Sequence, residues 1–136
     1  MTLKEIKEQV MFQTNNDVDD LGDFEPHLDD YMNEGYDLLI EAAYGKHLGV
    51  DGMEALSKDT DEPGLPAWMH RGLVDFATWL VYRNGNSAKQ NRGLAYRQAF
   101  EELKSKAKLW AAYQTEGKKD AYGRDVPAGR FYNIYP

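Results

Sequence analysis

Apolar residues recur at helical spacing in four stretches of this chain, with segments rich in glycine, asparagine, aspartate and proline between them. Thr2-Leu3-Lys4-Glu5 fits the capping box, in which a hydroxyl and a carboxylate satisfy backbone donors at a helix start. A short first helix is predicted, with Leu3, Ile6 and Val10 as its stripe and Phe12 as a candidate extension. It should end at Asn15-Asn16-Asp17, whose side chains compete for backbone hydrogen bonds. Pro26 suits a first helical turn, and from there Leu28, Tyr31, Met32, Gly35, Tyr36, Leu39 and Ala43 trace one buried face of a second helix. Gly35 inside that stripe predicts the close approach of another helix, because glycine in a helix interior otherwise costs about 1 kcal/mol relative to alanine.

Residues 45–66 hold four glycines and two prolines and read as a long connection, too irregular for core, with a candidate helical turn around Met53 to Ser57. Pro66 opens a third helix that is apolar on nearly every side through Tyr82, the mark of a central helix. Asn84-Gly85-Asn86 supplies its stop and Ser87 the next cap. A long fourth helix is predicted from Ser87 to Glu116, with a seam of Tyr96, Phe100, Leu103, Ala107 and Trp110. Its other faces carry Lys89, Arg92, Arg97, Lys104, Lys106 and Lys108. The expected fold class is therefore all-α: a small bundle of about four helices over residues 1–116, with a long C-terminal helix and an extended arm over 117–136.

At 136 residues and 42% hydrophobic content, including nine tyrosines, five phenylalanines and three tryptophans, the chain has material for one core. It contains no cysteine, which removes disulfides, thiolate metal sites and cysteine nucleophiles. The opening Met1 to Glu8 places charges where a signal peptide needs an apolar run, and no apolar stretch reaches the roughly 18 residues of a membrane span. Neither signal-directed export nor membrane insertion is expected.

Charge changes the picture more. The net −7 disfavours non-specific nucleic-acid binding, yet residues 1–62 carry 17 acidic and 4 basic side chains while residues 63–136 carry 6 and 12. Either each half has an ordinary solvated face, or copies associate head-to-tail through surfaces of opposite sign. Asp17, Asp19, Asp20 and Asp23 form an acidic segment that is either a solvated loop or a subunit-contact patch. It is not a calcium loop, because its fifth and twelfth positions fall on Leu21 and Leu28.

His27, His47 and His70 lie in separate segments without the spacing of a zinc or di-iron site, and His70 reads as a core or interface residue. No nucleophile elbow or phosphate loop occurs. No catalytic residue, metal or cofactor is therefore assigned, and the chain is expected not to be an enzyme. The basic residues of the fourth helix spread around it instead of forming one reading face, so a DNA-recognising packaging or regulatory protein is the alternative and not the first reading.

The arm carries the most functional content. Arg130-Phe131-Tyr132-Asn133-Ile134-Tyr135 is dense in aromatic and apolar side chains and follows a stretch holding Arg124, Pro127 and Gly129. Either it folds back over its own core or it docks on another subunit or partner, with Arg124, Arg130, Phe131, Tyr132, Ile134 and Tyr135 as contact candidates.

The order of these features over residues 1–116 resembles the small helical head-tail connector, or adaptor, proteins of tailed bacteriophages. The residues that carry the likeness are Leu3-Lys4-Glu5-Ile6-Lys7-Glu8-Gln9-Val10, the acidic loop, the helix Leu28 to Tyr44 with Asn33-Glu34-Gly35-Tyr36, and Leu65-Pro66-Ala67-Trp68-Met69-His70 leading into an apolar helix. Tyr82-Arg83-Asn84-Gly85-Asn86 and a long helix follow in the family's order. The resemblance implies a non-catalytic virion protein at the head-tail neck, assembled in the host cytoplasm. It implies a ring, commonly of twelve copies, beneath the portal protein, with a stopper or tail-completion protein attached below. Genomic double-stranded DNA would pass through the channel without sequence-specific contact, and the arm residues above would engage the portal or a neighbouring copy.

Overall fold

The structure, a computed structural model, describes residues 1–15, 17 and 21–115. Its helices are α1 (Leu3–Thr14), α2 (Leu28–Tyr44), α3 (His70–Arg83) and α4 (Ser87–Thr115), with short 3-10 turns at Glu25–His27 and Ala67–Met69. No strand occurs among the described residues beyond an isolated bridge between Leu48 and Met53. The all-α bundle of four helices with a long last one is what the chain adopts. None of its described helices is long and apolar enough to cross a membrane.

The capping box forms as the sequence predicts: the Glu5 N–H donates to Thr2 Oγ1 at 3.2 Å and the Thr2 N–H donates to Glu5 Oε1 at 3.3 Å. Leu3, Ile6 and Val10 are fully buried, whereas Phe12 is 80% exposed and stands outside the stripe. α1 closes at Thr14, whose hydroxyl donates back to the Val10 carbonyl at 2.9 Å. Past it, Leu21 and Phe24 are buried in the core.

α2 buries its apolar stripe and ends at Gly45, whose φ of 66° is the left-handed turn that glycine adopts without strain. A Cβ on Gly35 would lie 2.8 Å from Phe76 Cδ1, and one on Gly72 would lie 3.1 Å from Leu39 Cδ1. Residue 35 thus faces 76 and residue 39 faces 72, so α3 runs antiparallel to α2 in tight contact. α3 has eleven of its fourteen residues buried and packs against α1, α2 and α4, the central position that its all-round apolar sequence requires. α4 covers α3 with Phe100, whose ring centroid lies 4.8 Å from that of Phe76, and with buried Ala107. Tyr96, Leu103 and Trp110 pack partly buried at the margins of that seam.

Three expectations need correction. The cap of α4 is Asn86, whose side-chain oxygen accepts from the Lys89 N–H at 3.1 Å, one residue before Ser87. The turn expected around Met53 to Ser57 does not form. Asn33 reaches across from α2 and takes both backbone groups of Leu56, donating from Nδ2 to its carbonyl at 2.9 Å and accepting its N–H at 2.8 Å. Nor is the connection excluded from the core: Leu56, Pro63 and Leu65 are buried, and Tyr36 Oη accepts the Gly64 N–H at 2.7 Å.

Gly35→Ala tests the closest contact. The new methyl meets Phe76 at its Cβ and ring, and that Cβ cannot swing aside. Overpacking of this kind costs roughly 1–3 kcal/mol. We expect a net loss of stability despite alanine's higher helix propensity, read as a lower denaturation midpoint; an unchanged midpoint removes the close-contact account.

Candidate functional site

The acidic segment divides in the structure. Asp17 is not part of an outward patch: it is 5% exposed and forms the hub of an ion cluster linking the end of α1 to α3 and α4. Its carboxylate accepts a hydrogen bond from Tyr82 Oη at 2.7 Å and ion-pairs with Lys89 Nζ and Arg92 Nη1. Those bonds, from Lys89 first and Tyr82 next, hold the carboxyl well below the usual carboxylate range. Burial, reinforced by the Asp17 charge, pushes the Tyr82 phenol far above its ordinary range. Asp23 is exposed as expected. Asp19 and Asp20 lie outside the described residues, as do Arg124, Arg130, Phe131, Tyr132, Ile134 and Tyr135.

The same cluster reduces the charge that α4 can offer a polyanion, since Lys89 and Arg92 are already engaged. Lys104 pairs with Glu101 at 3.1 Å and lies over the Phe100 ring. Arg97 rests over the Trp79 ring, its Cζ 5.2 Å from the centroid, and Arg83 of α3 does the same at 5.4 Å. Lys106 and Lys108 are exposed near the far end of the helix.

α2 carries the opposite charge. Opposite its buried stripe stand Asp30, Glu34, Asp37 and Glu41, spaced 4, 3 and 4 residues apart and so aligned on one face. Asp37 is tied down, accepting the Leu48 N–H at 2.9 Å with His47 Nδ1 at 3.6 Å. Glu41 lines a crevice of about 240 Å³ with Lys104 and Lys108. Asp30 and Glu34 face outward and exposed. The apolar stripe alone does not point to this row; the complementary polar spacing on the opposite face is the signal that finds it.

At the ends of α2 and α4, Tyr44 and Trp110 meet edge-to-face at 5.9 Å and line an open groove of about 490 Å³ with Ala43, Gly45 and Gln114. His70 is buried, between the Met1 nitrogen on Nδ1 at 2.8 Å and the Leu65 carbonyl on Nε2 at 2.9 Å, and so belongs to the core. Among the described residues no group of three metal-ligating side chains converges. The carboxyl of Asp75, which is also buried, is raised by desolvation and lowered in opposition by Arg71 at 3.6 Å. These arrangements offer ion pairing and stacking at the surface. No family model, curated protein or solved structure matches the chain.

Asp17→Asn tests the hub. Because the native carboxyl is held low, its stabilisation is fully present above the unfolded value near 3.9 and declines as pH falls below it. The wild type should exceed the variant in stability by a constant margin from about pH 5 upward, and that margin should shrink toward pH 2. Denaturant midpoints across this range provide the measurement; a margin independent of pH contradicts the assignment.

Proposed function

We propose that the chain is a head-tail connector of a tailed phage or prophage: a structural protein whose copies form a ring beneath the portal and link the packaged capsid to a stopper or tail-completion protein. The observation that carries the proposal is the coexistence on one small helical domain of an outward carboxylate row on α2 and an outward guanidinium pair across α3 and α4. A body with two unlike, complementary faces forms heterologous contacts, and such contacts close into rings when the rotation permits. The portal as partner, the copy number and the passage of duplex DNA through the channel come from the resemblance over residues 1–116. The engagement of Lys89 and Arg92 by Asp17 supports a loose relation to DNA in preference to a gripping one.

Purified chain mixed with the portal protein of the same genome should add a ring of density beneath the portal by electron microscopy; a bare portal under packaging-like conditions overturns the proposal. Removal of residues 118–136 tests the arm. The shortened chain should keep its helical circular dichroism and melting midpoint yet fail to join the portal. Unfolding on truncation would instead assign those residues to the core.

A further inference from the structure

Trp79 is held half-buried on α3 by an edge contact with Phe76, the ring centroids 5.5 Å apart. α4 passes close because Gly93 faces it: a Cβ there would lie 2.8 Å from Tyr82 Cβ and 3.4 Å from Trp79 Cδ1. That approach brings Arg97 of α4 and Arg83 of α3 onto one indole. Both guanidiniums are exposed, and among the described residues no carboxylate lies within 4 Å of either. Two cations gathered on one ring, each with five donors, form a donor-rich receptor for a pair of anions.

We infer that this Arg83–Trp79–Arg97 platform is a docking surface for the Asp30–Glu34 face of α2 on a second copy of the chain. Asp30 and Glu34 are exposed, and none of the described cations lies within ion-pair distance of either. Standing one helical turn apart, they place two carboxylates about 5–6 Å from each other at Cβ, one for each guanidinium. Duplex DNA, with one negative charge per about 1.7 Å of its axis, is repelled by the acidic faces more strongly than a second copy, which also offers basic surface. Each copy offers one platform and one carboxylate pair, so the contact is head-to-tail and repeats from copy to copy. This inference rests on the reading that copies of the chain meet one another, and it names the side chains through which they do so.

The test uses the full chain in sedimentation velocity at about 10 mM salt, where charges interact over about 30 Å. The wild type should self-associate and lose that association as salt rises to about 1 M. Two charge reversals, Arg83→Glu with Arg97→Glu and Asp30→Lys with Glu34→Lys, should each weaken association by about tenfold or more. An equimolar mixture should restore it, because each variant then meets the complement of its altered face. All four positions are exposed, and circular dichroism verifies that each variant stays helical. A wild type that stays monomeric at low salt, association indifferent to salt, reversals without effect, or a mixture that fails to recover each overturns the inference. So does a platform reversal that abolishes binding to a duplex DNA fragment while leaving self-association intact. Failure to add a ring to the portal while the mixed variants still pair would overturn the proposed function and leave the docking surface standing.

Discussion

The near-complete burial of α3 governs the rest of the structure. A helix with eleven of fourteen residues out of solvent has to be covered from several sides, and the apolar faces of α1, α2 and α4 exist to do that. Two polar side chains that α3 buries, Thr78 and His70, are provided for. Thr78 donates to its own Val74 carbonyl at 2.7 Å and lies 2.9 Å from Gln13 Oε1, and His70 sits between two partners. The tightness of the cover follows from glycine: at Gly35, Gly72 and Gly93 the neighbouring side chain occupies the space a Cβ would take. Because α3 is held by three neighbouring helices, the Trp79 ring that it carries has a fixed place relative to α2.

The charge division between the two halves of the chain is partly spent inside the molecule. Asp17 belongs to the acidic half, while Lys89 and Arg92 belong to the basic half, and they meet in the ion cluster that closes α1 against α4. Within the acidic half, Lys7 of α1 reaches Asp29 of α2 at 2.8 Å and Asp59 of the connection at 3.8 Å. Among the described charges that stay outward are the row on α2, the platform on α3 and α4, and the lysines near the end of α4. An overall charge count therefore overstates the dipole and understates its geometry.

The helices were legible because their evidence is local. Leu3, Ile6 and Val10, or Leu28 through Ala43, announce a buried face within a few turns, and the Thr2–Glu5 box and Gly35 act within one contact. The errors lie where a distant group decides. Asp17 and Asp23 look alike in sequence, but only Asp17 is met by Tyr82, Lys89 and Arg92, which are 65 to 75 residues away. The Leu56 segment carries a plausible local turn signal that Asn33 overrides from 23 residues away. Asn86 and Ser87 are both competent caps, and the turn leaving α3 chooses between them. The platform was invisible because Arg83 and Arg97 are brought together only by the antiparallel register of α3 and α4.

The place of α1 has a consequence for how the chain is made. Its apolar face is covered chiefly by α3, and its first backbone donors go to the connection, Leu3 to the Asp61 carbonyl at 2.8 Å and Lys4 to that of Asp59 at 3.2 Å. During synthesis α1 thus has no partner until residues some sixty positions later have followed it, whereas α3 and α4 are joined by a three-residue turn. Until α3 arrives, Leu3, Ile6 and Val10 have no apolar cover and are open to any chaperone that binds nascent apolar helices.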